Sequence, residues 1–196
     1  MSNTSIREKI LAVQQNMWNV HDDLKGLTAE ELRAIQTRDT LPFAVCVANI
    51  LGDLNTGIIV RTSALLGAER IIIFGRRIYD RRSAVGAQNY IDVPRIEGFD
   101  ANGELSRAKF NVVMAEYDYQ PVFIEQGGMD LYDYEDINPK VPCFVFGNEA
   151  NGFSLQFMQN DPIINIMQRG VLRSYNVSTA AGIVLHHIAR KITNNV

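Results

Sequence analysis

The sequence predicts an α/β domain over about residues 41–196, a mostly parallel sheet with helices on both faces, preceded by a short helical N-terminal extension over 1–40. Two observations lead there. Several short runs are apolar at nearly every position, among them FAVCVAN (43–49), RIIIFG (70–75) and PCFVFG (142–147). A strand apolar on both sides is buried on both sides, the mark of a parallel sheet between helical layers. Segments with helical spacing alternate with these runs. The last of them places Val177, Ala180, Ala181, Val184, Leu185, Ile188 and Ile192 along one face of an amphipathic helix.

Residues 4–20 and 28–38 read as two helices separated by the turn HDDLKG, and Thr28 followed by Glu31 forms a capping box for the second. FAVCVAN is the first strand, TGIIVRTSALLG (56–67) a helix, and RIIIFG a second buried strand. NYIDV (89–93) is a weaker strand, NVVMAEY (111–117) and PCFVFG are stronger ones, and PIINIM (162–167) is the last. His186, His187 and Arg190 fall towards the C-terminal end of the final helix, where the helix dipole favours positive charge. Residues 118–139 receive no assignment.

A chain of 196 residues that is 46% hydrophobic can build one ordinary domain, and 21% charge argues against wholesale disorder. No apolar run approaches the roughly 20 residues that span a bilayer, and the first 30 residues lack a signal peptide's apolar core. Cys46 and Cys143 lie inside apolar strands and read as buried thiols in a reducing compartment, which points to the cytoplasm. The three histidines form no zinc pattern, and no metal is expected.

A net charge of −3 weighs against a wide grip on duplex phosphate, which needs clustered cations. The distribution is uneven, however. Arg61, Arg70, Arg76, Arg77, Arg81 and Arg82 crowd one stretch, and acids gather in another from Glu125 to Asp136. Arginine outnumbers lysine 14 to 5, and its planar fork suits phosphates and bases. Arg76, Arg77, Arg81 and Arg82 are therefore candidate nucleic-acid contacts; a solvated charged loop is the plainer reading.

Three polar loops stand where an open α/β sheet holds its ligand, beside strand ends and helix N-termini. Asp53-Leu54-Asn55-Thr56-Gly57 leads into the helix carrying Arg61 and Thr62, with Asn55 a candidate N-cap. Gly147-Asn148-Glu149-Ala150-Asn151-Gly152 follows PCFVF. The segment Gly170–Ser178 offers Ser174, Asn176 and Ser178 as caps for the last helix, where one would suffice. A cap or a surface turn would explain any one of these. Neither G-x-G-x-x-G after a strand nor G-x-x-x-x-G-K-[ST] occurs, which argues against a dinucleotide enzyme or a P-loop ATPase.

Taken together and in order, the loops resemble the SpoU family of RNA ribose 2′-O-methyltransferases, in the SPOUT superfamily. N-x-G-x-x-x-R-T is matched by Asn55, Gly57, Arg61 and Thr62. G-N-E-x-x-G-x-S is matched by Gly147, Asn148, Glu149, Gly152 and Ser154, and S-x-N-V-S by Ser174, Asn176 and Ser178. Ser83, Gly86 and Ala87 also look like the family's S-x-x-G-A loop. The resemblance covers roughly 41–192. It departs from the family in lacking a proline shortly before Asn55 and another before Met167, in carrying Arg173 where an acid is usual, and in an extra residue between Met167 and Gly170.

The resemblance implies a C-terminal trefoil knot, a homodimer, and S-adenosyl-L-methionine as cofactor. It implies cofactor contacts from Phe146, Gly147, Asn148, Glu149, Gly152, Ile166, Met167, Leu172, Asn176 and Ser178. It implies a catalytic set of Arg61, Asn55, Glu149, Ser174 and Asn176, with Arg61 acting near the partner's cofactor and tRNA or rRNA as the substrate. A guanidinium with a pKa above about 12 is a poor base, so Arg61 is expected to hold the neighbouring phosphate and stabilise the developing alkoxide. A non-catalytic RNA-binding or scaffold protein that keeps the knotted fold, or an α/β enzyme for another nucleotide, are the alternatives.

Overall fold

Among the described residues, six strands, β1 (Leu41–Ala48), β2 (Ala68–Phe74), β3 (Arg95–Ile96), β4 (Tyr119–Asp130), β5 (Val141–Phe146) and β6 (Ile163–Asn165), form one sheet in the order β3-β2-β1-β5-β4-β6. Every pairing is parallel. The α-helices among the described residues are α1 (Ala29–Arg38), α2 (Asp53–Leu65), α3 (Arg107–Glu116), the single turn α4 (Leu155–Met158) and α5 (Val177–Asn194). The computed structural model describes residues 19–75, 79–135, 139–148 and 152–194, so most of the expected 4–20 helix lies outside it. Among the described residues no helix is long and apolar enough to cross a membrane.

The unbroken apolar strands are buried on both sides. Along β1, Phe43, Val45 and Val47 join a core with Ile59 and Val60 of α2 and Ala181, Val184 and Leu185 of α5. The alternate residues Ala44, Cys46 and Ala48 meet Phe110, Val113 and Met114 of α3 and Phe157 and Met158 of α4 on the opposite face. Period-two alternation of the pleat thus sorts one apolar run between two cores. Burial also pushes the thiols of Cys46 and Cys143 well above their ordinary range, because the charged thiolate loses its water.

Three expectations need correction. NVVMAEY is not a strand but most of α3. Ser106 caps that helix by accepting from the Lys109 backbone, and Phe110, Val113 and Met114, spaced three and four apart, form its buried stripe. The β-branched pair Val112–Val113 imitates a strand, but Val112 is exposed. The strand sought at 89–93 is reduced to one bridge between Arg70 and Asp92, with β3 lying just beyond it. The N-cap of α2 is Gly52, which places Asn55 inside the first turn. The Thr28–Glu31 capping box is present as expected.

The unassigned stretch contains β4. Both Ile124 and Met129 pair with Ile164 of β6, so residues 125–128 leave the ladder as a bulge. Gly127 adopts a left-handed φ of +80°, and a Cβ on Gly128 would stand 2.3 Å from the Ile163 carbonyl oxygen. The bulge needs both glycines.

One half-buried ion pair ties α3 to the segment after α4. Arg107 pairs with Asp161, donates to the Phe157 carbonyl at 2.6 Å and to Asn111 Oδ1 at 2.7 Å, and lies over the Phe110 ring. Arg107→Ala leaves the Asp161 carboxylate with the Gln120 Nε2 donor at 3.3 Å and is expected to cost about 2 kcal/mol in urea denaturation, whereas Arg107→Met/Asp161→Leu recovers much of it. Equal losses in the two variants would show that packing, not the charge left behind, sets the cost.

Candidate active site

The strand order reverses between β1 and β5, and at such a switch point the loops leaving neighbouring strands diverge and open a crevice. Asn148 spans it, its Nδ2 donating to the Asn49 carbonyl at 3.2 Å, with Asn49 in the left-handed region at φ 52°. Beside it an open cleft of about 150 Å³ is formed by the end of β5, the bulge of β4 and the segment after β6.

Of the expected cofactor residues, Phe146, Gly147, Asn148, Gly152 and Ile166 line this cleft, as does Ser174 of the expected catalytic set. Met167 and Leu172 are exposed and do not line it. Glu149 lies outside the described residues. Arg173, the unusual cation, stands on the rim, where its carbonyl accepts from Gln126 Nε2 at 2.5 Å.

Sequence reasoning missed Glu125 and Gln126, which the bulge carries into the cleft. Glu125 accepts from its neighbour Gln126 N at 2.9 Å and from Phe153 N at 3.1 Å, so one carboxylate pins both the bulge and the start of the segment leading to α4. A Cβ on Gly152 would meet Glu125 Oε2 at 2.1 Å, and Gly152 has a left-handed φ of +59°. The glycines at the ends of this loop serve close packing as well as turning: a Cβ on Gly147 would strike the Phe153 ring at 2.5 Å. The only sequence signal for the bulge was Gly127-Gly128.

Asn176 settles the competition among caps. Its Oδ1 accepts from Ser178 N at 2.9 Å, from Ser178 Oγ at 2.6 Å and from Thr179 N at 3.4 Å, so Ser178 serves the cap rather than the cleft. The other end of the Asn176 amide, Nδ2, donates to Asn55 Oδ1 at 3.2 Å. Two residues 121 positions apart thereby join the first and third loops.

Arg61 is not brought to the cleft. It lies on the exposed side of α2, on a groove shared with His186 and Arg190 of α5. Leu54, Ile58 and Leu65, on the same helix in steps of three and four around Arg61, are also exposed. The first loop and the S-x-x-G-A segment touch: a Cβ on Gly57 would overlap Ser83 Oγ at 1.8 Å and approach the Asp80 carbonyl oxygen at 2.5 Å. Of the candidate RNA contacts, Arg82 forks onto Asp80 and Arg81 carries no ion pair among the described residues, while Arg76 and Arg77 lie outside them.

The chain belongs to the SpoU rRNA Methylase family, whose model matches residues 42–186. A relative from Archaeoglobus fulgidus, an uncharacterized tRNA/rRNA methyltransferase, is 28% identical over 157 residues, 76% of this chain and 65% of its own. The chain spans about half to two thirds of the length of the curated relatives it matches. In fold it is similar to the TrmH/SpoU tRNA modifying enzyme of A. aeolicus, with a TM-score of 0.68 and 19% identity over 85% of this chain and 83% of that one. It is similar too to the SpoU methyltransferase AviRb from Streptomyces viridochromogenes in complex with AdoMet, with a TM-score of 0.64 and 23% identity over 80% of this chain and 62% of that one.

The two ends of the Asn176 amide can be tested separately. Asn176→Asp keeps the cap acceptor but loses the donor to Asn55, and its chemical-denaturation midpoint should stay near that of the parent chain. Asn176→Ala loses both and should cost about 1 kcal/mol. If the two variants were equally destabilised, the Asn55 contact rather than the cap would be holding α5.

Proposed function

We propose that this chain transfers a methyl group from S-adenosyl-L-methionine to a ribose 2′-hydroxyl of tRNA or rRNA, as a cytoplasmic homodimer whose segment from β6 to α5 forms a trefoil knot. The observation that carries this reading is the convergence of the three family loops: the second and third line one cleft, and the Asn176–Asn55 hydrogen bond couples the first to them. Residues 41–196 would be the methyltransferase domain and 1–40 its extension.

The residues present suit the cofactor. Ile124, Phe146, Ile166 and Val177 give the cleft an apolar floor for an adenine ring, and Gln126 and Gln168 are among its polar groups that could meet ribose hydroxyls and the amino-acid end. When bound, the cofactor supplies an electrophilic methyl on a sulfonium, and an oxygen can take it in line without a metal.

The protein must then align a weak nucleophile and stabilise charge as its proton leaves. Ser174, at the cleft, and the Asn55–Asn176 pair would orient the hydroxyl. Glu149 would hold the second loop. Arg61 would hold the adjacent phosphate and stabilise the alkoxide; a guanidinium stays charged at neutral pH and suits that work better than proton removal. Because Arg61 lies away from the cleft of its own chain, it would serve the cleft of a second copy. The exposed Leu54, Ile58 and Leu65 around it supply the apolar face that such a contact requires.

Calorimetry with S-adenosyl-L-methionine should show binding on the order of micromolar that survives EDTA. No heat at protein near about 100 micromolar would favour the scaffold reading. Arg61→Ala should leave that binding intact and cut single-turnover methylation by about 100-fold or more, the usual scale for a lost transition-state donor. Refolding Arg61→Ala chains with Ser174→Ala chains should restore part of the activity, since one site in the mixed dimer keeps both residues. Two inactive variants that never complement would place the whole site within one chain. Mapping the modified nucleotide, with 2′-deoxy substitution at that position as a check, tests the acceptor hydroxyl.

A further inference from the structure

A second cleft, of about 380 Å³, lies at the β2–β3 side of the sheet and is not part of the site described above. Arg33 of α1, Tyr79 and Arg81 of the loop after β2, Gln88 and Tyr90 from the 3-10 turn that follows, and Arg95 of β3 contribute to its walls.

Three features set its chemistry. First, its charge is positive: Arg33, Arg70, Arg81 and Arg95 face only two acids, Glu69 and Asp92. Both acids are engaged, Asp92 by Arg70 at 2.8 Å and Glu69 by the Tyr119 hydroxyl at 2.5 Å. Arg81 and Arg95 are exposed and form no ion pair among the described residues. Second, Tyr79 shares the cleft wall with Arg81 and Arg95: burial raises its pKa, and the charges of the two guanidiniums oppose that rise. Third, Gln88 carries a buried Oε1 with no hydrogen-bond partner among the described residues, and an acceptor left in that state costs free energy until a donor arrives.

Cations beside tyrosines match a nucleotide, which carries an anion and a flat ring within one residue, better than an acidic peptide, whose carboxylates have no adjoining ring. The space holds one nucleotide rather than the width of a duplex. A path to the methylation site also exists. The loop bearing Tyr79 and Arg81 crosses the start of α2, with Asp80 N donating to the Asp53 carbonyl at 3.1 Å and Ser83 pressed against Gly57.

We propose that this cleft seats one unpaired nucleotide of the substrate RNA, outside the methylated residue. Its phosphate lies on Arg81 and Arg95, its base lies against the tyrosine wall, and a base or ribose donor faces Gln88. The assignment rests on the reading of the chain as an RNA methyltransferase. Arg33 acts differently: its guanidinium donates twice to the Asn89 carbonyl, at 3.0 and 3.2 Å, and so positions the turn that bears Gln88.

The test is fluorescence anisotropy of a labelled single-stranded 12-nucleotide RNA titrated with the full chain. Arg81→Glu/Arg95→Glu should weaken binding by about tenfold or more and flatten its salt dependence by about one to two units of slope. Cofactor affinity by calorimetry should change less than twofold. Arg38→Glu, an exposed α1 cation outside the cleft, should change RNA affinity less than twofold. Gln88→Leu should lower RNA affinity several-fold while the thermal midpoint holds or rises, a combination that a merely structural glutamine would not give. Adenosine 5′-monophosphate at about 1 mM should fail to displace the RNA; displacement at the RNA's own concentration range would make this a free-nucleotide site and overturn the RNA seat. Unchanged affinity in the double variant, or an equal loss in Arg38→Glu, would also overturn it. The readout separates the two proposals: cleft variants that lose RNA in a chain that methylates nothing keep the seat and sink the methyltransferase, and normal RNA binding by the variants of an active enzyme does the reverse.

Discussion

Burial of the sheet on both faces is the constraint from which the rest follows. Parallel neighbours cannot be joined by a tight hairpin, so each connection crosses a face of the sheet before re-entering, and the helices in those crossings cover both faces. All strand C-termini then lie along one edge, and every loop that leaves them has a chance to meet there. The reversal of strand order between β1 and β5 decides which loops do. Asn148 and Asn49 hold that reversal together, and the cleft opens beside them.

Among the described residues, some polar contacts near this edge have more than one duty. Glu125 fixes two backbone segments, and Asn176 caps a helix with one end of its amide while reaching Asn55 with the other. Around them some buried polarity is left unanswered: Asp53 Oδ1 and Ser63 Oγ have no partner among the described residues, and both belong to α2.

How much of this was legible depended on whether a residue's role was local. The strands β1, β2 and β5 were read from their apolar runs, since burial on both faces leaves a mark at every position. The capping box of α1 and the amphipathic stripe of α5 were read from spacing alone. α3 was misread because Val112 and Val113 suggest a strand, and the stripe Phe110, Val113 and Met114 was overlooked beside them. β4 escaped because its bulge interrupts the alternation on which strand reading relies, and Glu125 and Gln126 escaped with it. The cap of α2 could not be read because Gly52 has no side chain to announce it. The second and third loops were recognisable as motifs, but the Asn55–Asn176 contact between distant segments had no local signature.

The pairing of β1 with β5 sets Ala44 against Cys143, so the two central strands of the sheet come from segments far apart in the chain. Such contacts return nothing until the long intervening segment has been closed into a loop, and closure is an entropic cost met in advance. β2 can join β1 early, through the short excursion of α2. The β1–β5 seam must wait, and with it Phe146, Gly147 and Asn148. The cleft is thus assembled late, after most of the chain has collapsed, and during synthesis the N-terminal strands wait for β5 to leave the ribosome with one edge of β1 unpaired.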